Sequence, residues 1–80
     1  MIERLTKYYN ACHYVKQSLV FELTHDKNMD WCLIIYHRDS NTYIFESNGA
    51  SLNLLCAEAY IALEKWAGEY SDLEDIENNL

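Results

Sequence analysis

The spacing of apolar residues changes twice along this chain of 80 residues, and these changes set what it can fold into. The sequence contains no proline and no linker-like segment, so the hydrophobic period is the main guide to its secondary structure. From Ile2 to Val15, apolar residues recur every three or four positions, which places them on one side of an α-helix. We therefore predict an N-terminal helix of about four turns.

The middle of the chain has the two-residue period of β-strands. Leu19, Phe21 and Leu23 alternate with their neighbours, as in a strand that buries one face. Residues 30–37 are rich in β-branched and aromatic side chains and are apolar on both faces, which is typical of a central strand. Residues 42–46 predict a third strand, and the short turns between the strands favour an antiparallel meander.

A long amphipathic helix is predicted after the strands. Asn48-Gly49 should break the third strand, and Ser51 is placed to cap the N-terminus of the helix. We expect this helix to end near Ala67, with Gly68 as its stop signal. Its side predicted to face the sheet carries Leu52, Leu55, Cys56, Ala59, Leu63 and Trp66.

The order of these elements predicts an α+β fold. A capping box at residues 71–74 indicates a last, short acidic helix. Residues 1–80 should then form a single compact domain with an N-terminal helix, a three-stranded antiparallel sheet, a long amphipathic helix and a short C-terminal helix. Half of the residues are hydrophobic, which is enough for a packed core and argues against disorder.

The N-terminus and the apolar runs indicate where the protein resides. No apolar run approaches the roughly 18 residues that cross a bilayer, and the first residues lack the apolar core of a signal peptide. We therefore expect a cytoplasmic protein that does not enter a membrane.

The second side of the long helix is not purely polar. Leu54, Ala57 and Ile61 lie there among charged residues, so this helix should have two apolar contacts. The N-terminal helix, the C-terminal segment or a second protomer are the alternative partners for these three residues. In the last case the protein would be a homodimer with this side of the helix as its interface.

Catalytic and metal-ligating residues do not form a recognisable set. The three cysteines never form a Cys-x-x-Cys pair, which favours reduced, mostly buried thiols over a disulfide framework or a zinc site. Gly49 and Gly68 are the only glycines, so a glycine-rich phosphate loop is excluded. We expect no enzymatic activity, no metal and no cofactor.

Negative charge is concentrated at the C-terminal end. The formal net charge is -7, and residues 46–80 carry eight acidic side chains against a single base, Lys65. Such a one-sided field attracts a basic protein and disfavours direct contact with nucleic acid or membrane. The candidate contact residues are Glu64, Glu69, Tyr70, Asp72, Glu74, Asp75 and Glu77, with Asp39 of the second turn as an addition. The alternative is that these acids only complement helix dipoles and increase solubility.

Four tyrosines also favour the hypothesis of a protein-contact surface. Tyr8, Tyr14, Tyr60 and Tyr70 lie at or beyond the edges of the predicted apolar stripes. Exposed aromatic residues near acids are typical of protein-contact hot spots, although tyrosine is also common at the border of a small core.

The C-terminal half resembles a known group of proteins. Residues 42–80 combine the strand segment Tyr43-Ile44-Phe45-Glu46-Ser47-Asn48, a helix that closes near Trp66, Glu69-Tyr70 and an acidic last helix. In pattern, size and charge this resembles the small acidic phage anti-CRISPR proteins that inhibit Cas9 and are built as a helix, a three-stranded sheet and two helices.

The resemblance implies a function. In these inhibitors, acidic residues of the last helices and of a strand loop occupy the arginine-lined site that reads the short duplex motif beside the target. On this sequence the resemblance assigns the blocking role to Glu69, Asp72, Glu74, Asp75 and Glu77, with Asp39 in the hairpin. It predicts a phage-type inhibitor in the host cytoplasm that prevents DNA binding by charge mimicry, and the homodimeric adaptor is the alternative.

Overall fold

The fold is seen in a computed structural model of the chain, which describes residues 1–28, 30–70 and 73–80. The elements in chain order are α1 (Ile2–Lys16), β1 (Leu19–His25), β2 (Trp31–His37), β3 (Thr42–Gly49), α2 (Leu52–Tyr70) and α3 (Leu73–Asn78). This order confirms the predicted α+β class and the predicted succession of helices and strands.

The three strands form an antiparallel sheet in the order β1-β2-β3, with β2 in the centre as predicted. Leu33 and Ile35 of β2 are fully buried. The register places Phe21 of β1 opposite Ile35 and Leu23 opposite Leu33, so one face of the sheet is continuously apolar. This face forms the floor of the hydrophobic core.

A β-bulge modifies β3. The pairing with β2 shifts between Ile35 and Tyr36, so that Phe45 lies opposite Ile35 and Tyr43 opposite Tyr36. Ile44 is the additional residue, and both Ile44 and Phe45 pack against the core. The bulge therefore turns two consecutive side chains toward the helices, which a regular strand cannot do.

The opposite face of the sheet is only half-buried. Cys32, Ile34 and Tyr36 of β2 alternate with the core residues and do not belong to the core cluster. Tyr36 stacks on Tyr43 of β3 with ring centroids 5.3 Å apart, as the bulged register requires. Such a cross-strand aromatic pair stabilises the sheet without help from the helices.

Helix α2 covers the apolar face of the sheet with the predicted stripe. Five of its six predicted residues are buried, and Leu52 is half-buried against the core; the five are Leu55, Cys56, Ala59, Leu63 and Trp66. Helix α1 packs against α2, and α3 packs back against α1. None of the helices formed by the described residues has both the length and the apolar character needed to cross a bilayer.

Helix α1 buries more than the predicted stripe. Leu5 and Cys12 are buried as predicted, but Tyr8 and Ala11 are buried as well. Their burial widens the buried side of α1, because α1 contacts both α2 and α3.

A strained connection leads from α1 into β1. Gln17 and Ser18 have φ angles of 58° and 57°, in the left-handed region that non-glycine residues rarely adopt. Three hydrogen bonds hold this turn: the Gln17 N–H donates to the His13 carbonyl at 2.8 Å, the Arg38 N–H donates to the Ser18 carbonyl at 2.8 Å, and the Tyr9 hydroxyl donates to the Leu19 carbonyl at 2.8 Å.

The predicted stops at the two glycines have different outcomes. Strand β3 ends at Gly49, which pairs with Trp31 of β2, three residues beyond the predicted end at residue 46. Helix α2 instead continues through Gly68 to Tyr70, contrary to the prediction. Gly68 does not have a positive φ, so the helix continues across it. The predicted cap of α2 is confirmed, since the Leu54 N–H donates to the Ser51 Oγ at 3.2 Å. The predicted capping box at residues 71–74 lies partly outside the described residues.

The continuation of α2 through Gly68 can be tested directly. A Cβ atom added at Gly68 meets no atom within 4 Å. We expect Gly68→Ala to raise the free energy of unfolding by about 0.5–1 kcal/mol, because alanine loses less backbone entropy than glycine in a helix. Urea denaturation followed by circular dichroism measures this change. A helix that stopped at Gly68 in a left-handed conformation would instead be destabilised.

Candidate functional site

The predicted acidic residues occupy the C-terminal half of α2 and the short helix α3. Glu64 and Glu69 lie on α2, and Glu74, Asp75 and Glu77 lie on α3, and all five side chains are exposed. Within the described part of the chain, none of these carboxylates forms an ion pair with a lysine or an arginine. Asp72 and the side chain of Tyr70 lie outside the described residues. The negative charge of this region is therefore directed to solvent rather than neutralised internally.

Three of these acids line two grooves, whereas Glu74 and Asp75 line neither groove. The first, which we call the helical groove, lies between α1, α2 and α3, has a volume of about 620 Å³ and is lined mainly by Tyr8, Tyr60, Ile61, Glu64, Leu73 and Glu77. The second, which we call the strand groove, lies between β3 and α2 and is lined by Thr42, Tyr43, Ile44, Ala62, Trp66 and Glu69. Lys65 lines both grooves and is the base nearest to the acidic residues along α2.

Asp39 does not join the C-terminal acids. Its Oδ2 accepts a hydrogen bond from the Ser18 Oγ at 2.8 Å, and it lines neither the helical groove nor the strand groove. Asp39 thus ties the β2–β3 turn to the strained connection after α1, and this contact gives it a structural role.

Tyr8 has an unusual environment for a tyrosine. The sequence placed it at the edge of the apolar stripe, whereas its side chain is only 3% exposed. Its ring packs against the ring of Tyr60 with centroids 5.0 Å apart. Its hydroxyl is shielded from water and has no hydrogen-bond partner among the described residues. An unpaired buried hydroxyl is costly, because it has lost its contacts with water without replacing them.

The surroundings of Tyr8 also affect its ionisation. Burial raises the pKa of Tyr8 above its ordinary value, and the charges of Cys12, Glu64 and Tyr60 raise this pKa further. Glu77 acts in the same direction. Because Glu64 lies on α2 and Glu77 on α3, carboxylates of two helices raise the pKa of one buried hydroxyl.

Tyr60 connects the helical groove with α1. Its ring contacts the ring of Tyr8 and also the guanidinium of Arg4, whose Cζ is 5.0 Å from the Tyr60 centroid. This geometry is that of a cation–π contact. Tyr60, which lines the helical groove, therefore already binds one guanidinium from the same chain, although Arg4 itself does not line the groove.

The apolar residues on the second side of α2 are not covered by the other helices. Leu54 is 60% exposed and Ile61 is 66% exposed, while Ala57 is half-buried. Contact with α1 or α3, which the sequence offered as two of three alternatives, therefore leaves Leu54 and Ile61 in solvent. Ile61 also lines the helical groove, whereas Leu54 does not.

The β2–β3 turn contains a hydrogen-bonded histidine and serine that the sequence did not single out. The His37 Nδ1 lies 2.7 Å from the Ser40 Oγ, and the Ser40 Oγ lies 2.9 Å from the Thr42 Oγ1. The Ser40 N–H also donates to the same His37 Nδ1 at 3.3 Å. All of these bonds lie within six consecutive residues, so they help to fix the shape of the turn.

The thiols and potential metal ligands lack the features of a reactive centre. Cys12 and Cys56 are buried and Cys32 is half-buried, and all three are free thiols. Burial raises the pKa of Cys12 to about 12, which suppresses the thiolate form. Across residues 1–28, 30–70 and 73–80, no three histidine, cysteine or acidic side chains are grouped so that they could hold a metal ion.

Comparison of the chain with known protein families, with curated proteins and with solved structures finds no significant match.

The adjacent residues Tyr8 and Tyr9 allow the unpaired hydroxyl to be tested. Tyr8→Phe removes a hydroxyl without a partner, so we expect the free energy of unfolding to stay unchanged or to rise by about 1 kcal/mol. Tyr9→Phe is the matched control, since it removes the hydrogen bond to the Leu19 carbonyl and should lower this free energy by about 0.5–1.5 kcal/mol. Urea denaturation of both variants measures the difference. A larger loss for Tyr8→Phe would show that its hydroxyl is paired in solution.

Proposed function

We propose that this protein is a phage-type inhibitor that binds the basic nucleic-acid site of a host defence effector and excludes DNA by charge mimicry. The observation that carries the proposal is the set of exposed carboxylates on α2 and α3, which have no lysine or arginine partner among the described residues. Residues 46–80 contain a single base, so the field of this region stays negative. An arginine-lined site that normally holds phosphates would meet a comparable row of anions.

Charge alone would give little affinity. An exposed ion pair contributes about 0–1 kcal/mol, so scattered surface carboxylates would not compete with DNA. Pairs that lose water on binding contribute more, provided that both charges find a partner. The helical groove offers such a place, because its carboxylates stand beside apolar side chains.

The layout of the chain supports the same target class. The order of elements is that of the phage anti-CRISPR proteins which the sequence resembles, and in those proteins acids of the last helices fill an arginine-lined site. On this basis the effector would be a CRISPR nuclease, and its DNA would be displaced by competition without any cleavage. Glu69 of the strand groove and the acids of α3 are the residues assigned to this contact.

Charge reversal on α3 and at Asp72, which precedes it in the sequence, tests this proposal; we call this triple variant the α3 variant. We expect the triple variant Asp72→Lys, Glu74→Lys and Asp75→Lys to keep its fold and to lose the partner, because lysines would face the arginines of the effector site. The measurement is capture of proteins from bacterial lysate at increasing salt, followed by displacement of the captured protein with duplex DNA. Circular dichroism checks the fold, since α3 also loses acids from its first turn.

The matched control changes the net charge by the same amount elsewhere. Glu22→Lys, Glu46→Lys and Glu58→Lys reverse three exposed acids that lie on β1, β3 and the first half of α2. This control should retain capture. If it loses capture to the same extent as the α3 variant, only net charge matters and the mimicry of a nucleic-acid site is contradicted. Capture that survives in the α3 variant also contradicts the proposal.

A second candidate function is a homodimeric adaptor, and the exposure of Leu54 and Ile61 favours it. If these residues form a dimer interface, Ile61→Asp and Leu54→Asp should each convert a dimer into a monomer in sedimentation equilibrium. Tyr14→Asp is the control, because Tyr14 is 72% exposed and lies on a different helix, α1. Wild-type protein that sediments as a monomer at all concentrations removes this candidate.

A further inference from the structure

The walls of the helical groove are unusually apolar for an exposed surface. Ile61 is 66% exposed, Leu73 39% and Leu80 47%, and all three line this groove. They account for three of the seven large hydrophobic side chains that are exposed among the described residues. Grouping of such side chains in one concave surface is typical of a contact with another molecule.

The floor of the same groove contains the unpaired hydroxyl of Tyr8. Only 3% of the Tyr8 side chain is exposed, and its hydroxyl has no hydrogen-bond partner within the described part of the chain. The oxygen can accept a hydrogen bond, so a donor supplied by an occupant would remove the cost of leaving it unpaired. Because this hydroxyl is shielded from water, a donor can reach it only when side chains of the groove change rotamer.

Carboxylates of two helices form the rim of the groove. Glu64 of α2 and Glu77 of α3 both line it, and neither forms an ion pair among the described residues. Lys65 is the single base in the lining, so one unit of negative charge remains. A cation placed between the two carboxylates would therefore be attracted from both sides.

From this combination we infer that the helical groove binds one arginine side chain of the basic partner, presented on an apolar segment of that protein. The inference rests on the proposed function and names the contact that it uses. The guanidinium donates hydrogen bonds to Glu64 and Glu77 and to the Tyr8 oxygen, and the residues beside the arginine pack on Ile61, Leu73 and Leu80. An arginine fits better than a lysine, because its five donors can serve several acceptors at once.

Charge complementarity selects this occupant over others. A neutral apolar segment would take water away from Glu64 and Glu77 without giving them a partner. A nucleic acid would be repelled by the same carboxylates. A metal ion would find only two carboxylates and a phenol, and the described residues contain no group of three histidine, cysteine or acidic ligands.

A short peptide serves as the probe. The peptide acetyl-Gln-Leu-Arg-Leu-Gln-amide carries one arginine between leucines, and its matched control has citrulline, an uncharged analogue, in place of arginine. Both are titrated into the isotope-labelled full chain, and backbone amide shifts are followed by NMR. We expect the arginine peptide to bind about tenfold more tightly than the citrulline peptide, with the largest shifts around Tyr8, Ile61 and Glu77.

Variants of the chain locate the contact. Glu64→Gln with Glu77→Gln should weaken binding of the arginine peptide about tenfold or more, because both charge-assisted hydrogen bonds are lost. Glu3→Gln with Glu58→Gln is the matched control, since it removes the same charge from exposed positions of α1 and α2 outside the groove. Tyr8→Phe should weaken binding severalfold while the amide spectrum shows an intact fold.

The outcomes separate this inference from the proposed function. Equal loss in the two double variants, equal binding of the citrulline peptide, or unchanged binding by Tyr8→Phe overturns the arginine contact. If the Glu64→Gln and Glu77→Gln variant still captures a partner that DNA displaces, the groove is not the contact and charge mimicry stands. If the wild-type chain captures no such partner, the proposed function fails, whatever the peptide does.

Discussion

The packing of α2 on the central strand is the interaction on which the rest of the structure depends. Leu33 and Ile35 form the buried face of β2, and the stripe of α2 that ends at Trp66 closes over them. Helix α1 packs mainly on α2 and touches the sheet through the edge strand β1, and α3 packs on α1. Both grooves lie along the flanks of α2 and keep their shape only while this contact persists.

The hydrophobic period predicted this architecture because each element has one strongly apolar side. It failed at Gly68, where a glycine suggested an end but α2 continues to Tyr70. Glycine permits a break and does not require one. The bulge at Ile44 could not be predicted either, since it depends on the register between β2 and β3 rather than on the residues of one strand.

The composition of the candidate site was predictable, but its arrangement was not. Counting charges identified the acids of α2 and α3, yet only the contact of three helices brings Glu64 and Glu77 to one groove and sends Glu69 to another. The hydrophobic period predicted Tyr8 at the edge of the apolar stripe of α1, because a single stripe is expected for a helix that packs on one neighbour. The spacing of Leu5, Tyr8 and Cys12 by three and four residues is the signal that could have identified it as buried.

The homodimer and the binding of a basic partner would both use Ile61, and the negative charge of the chain favours the basic partner. A homodimer built on Leu54 and Ile61 would cover a wall of the helical groove, so self-association and the binding of an arginine there exclude each other. Two copies of a chain with a formal net charge of -7 repel, and Glu58 and Glu64 flank the apolar side chains of this helix side. A basic partner instead gains from the same charges. The surface that is costly to pair with itself is therefore well suited to a positively charged protein.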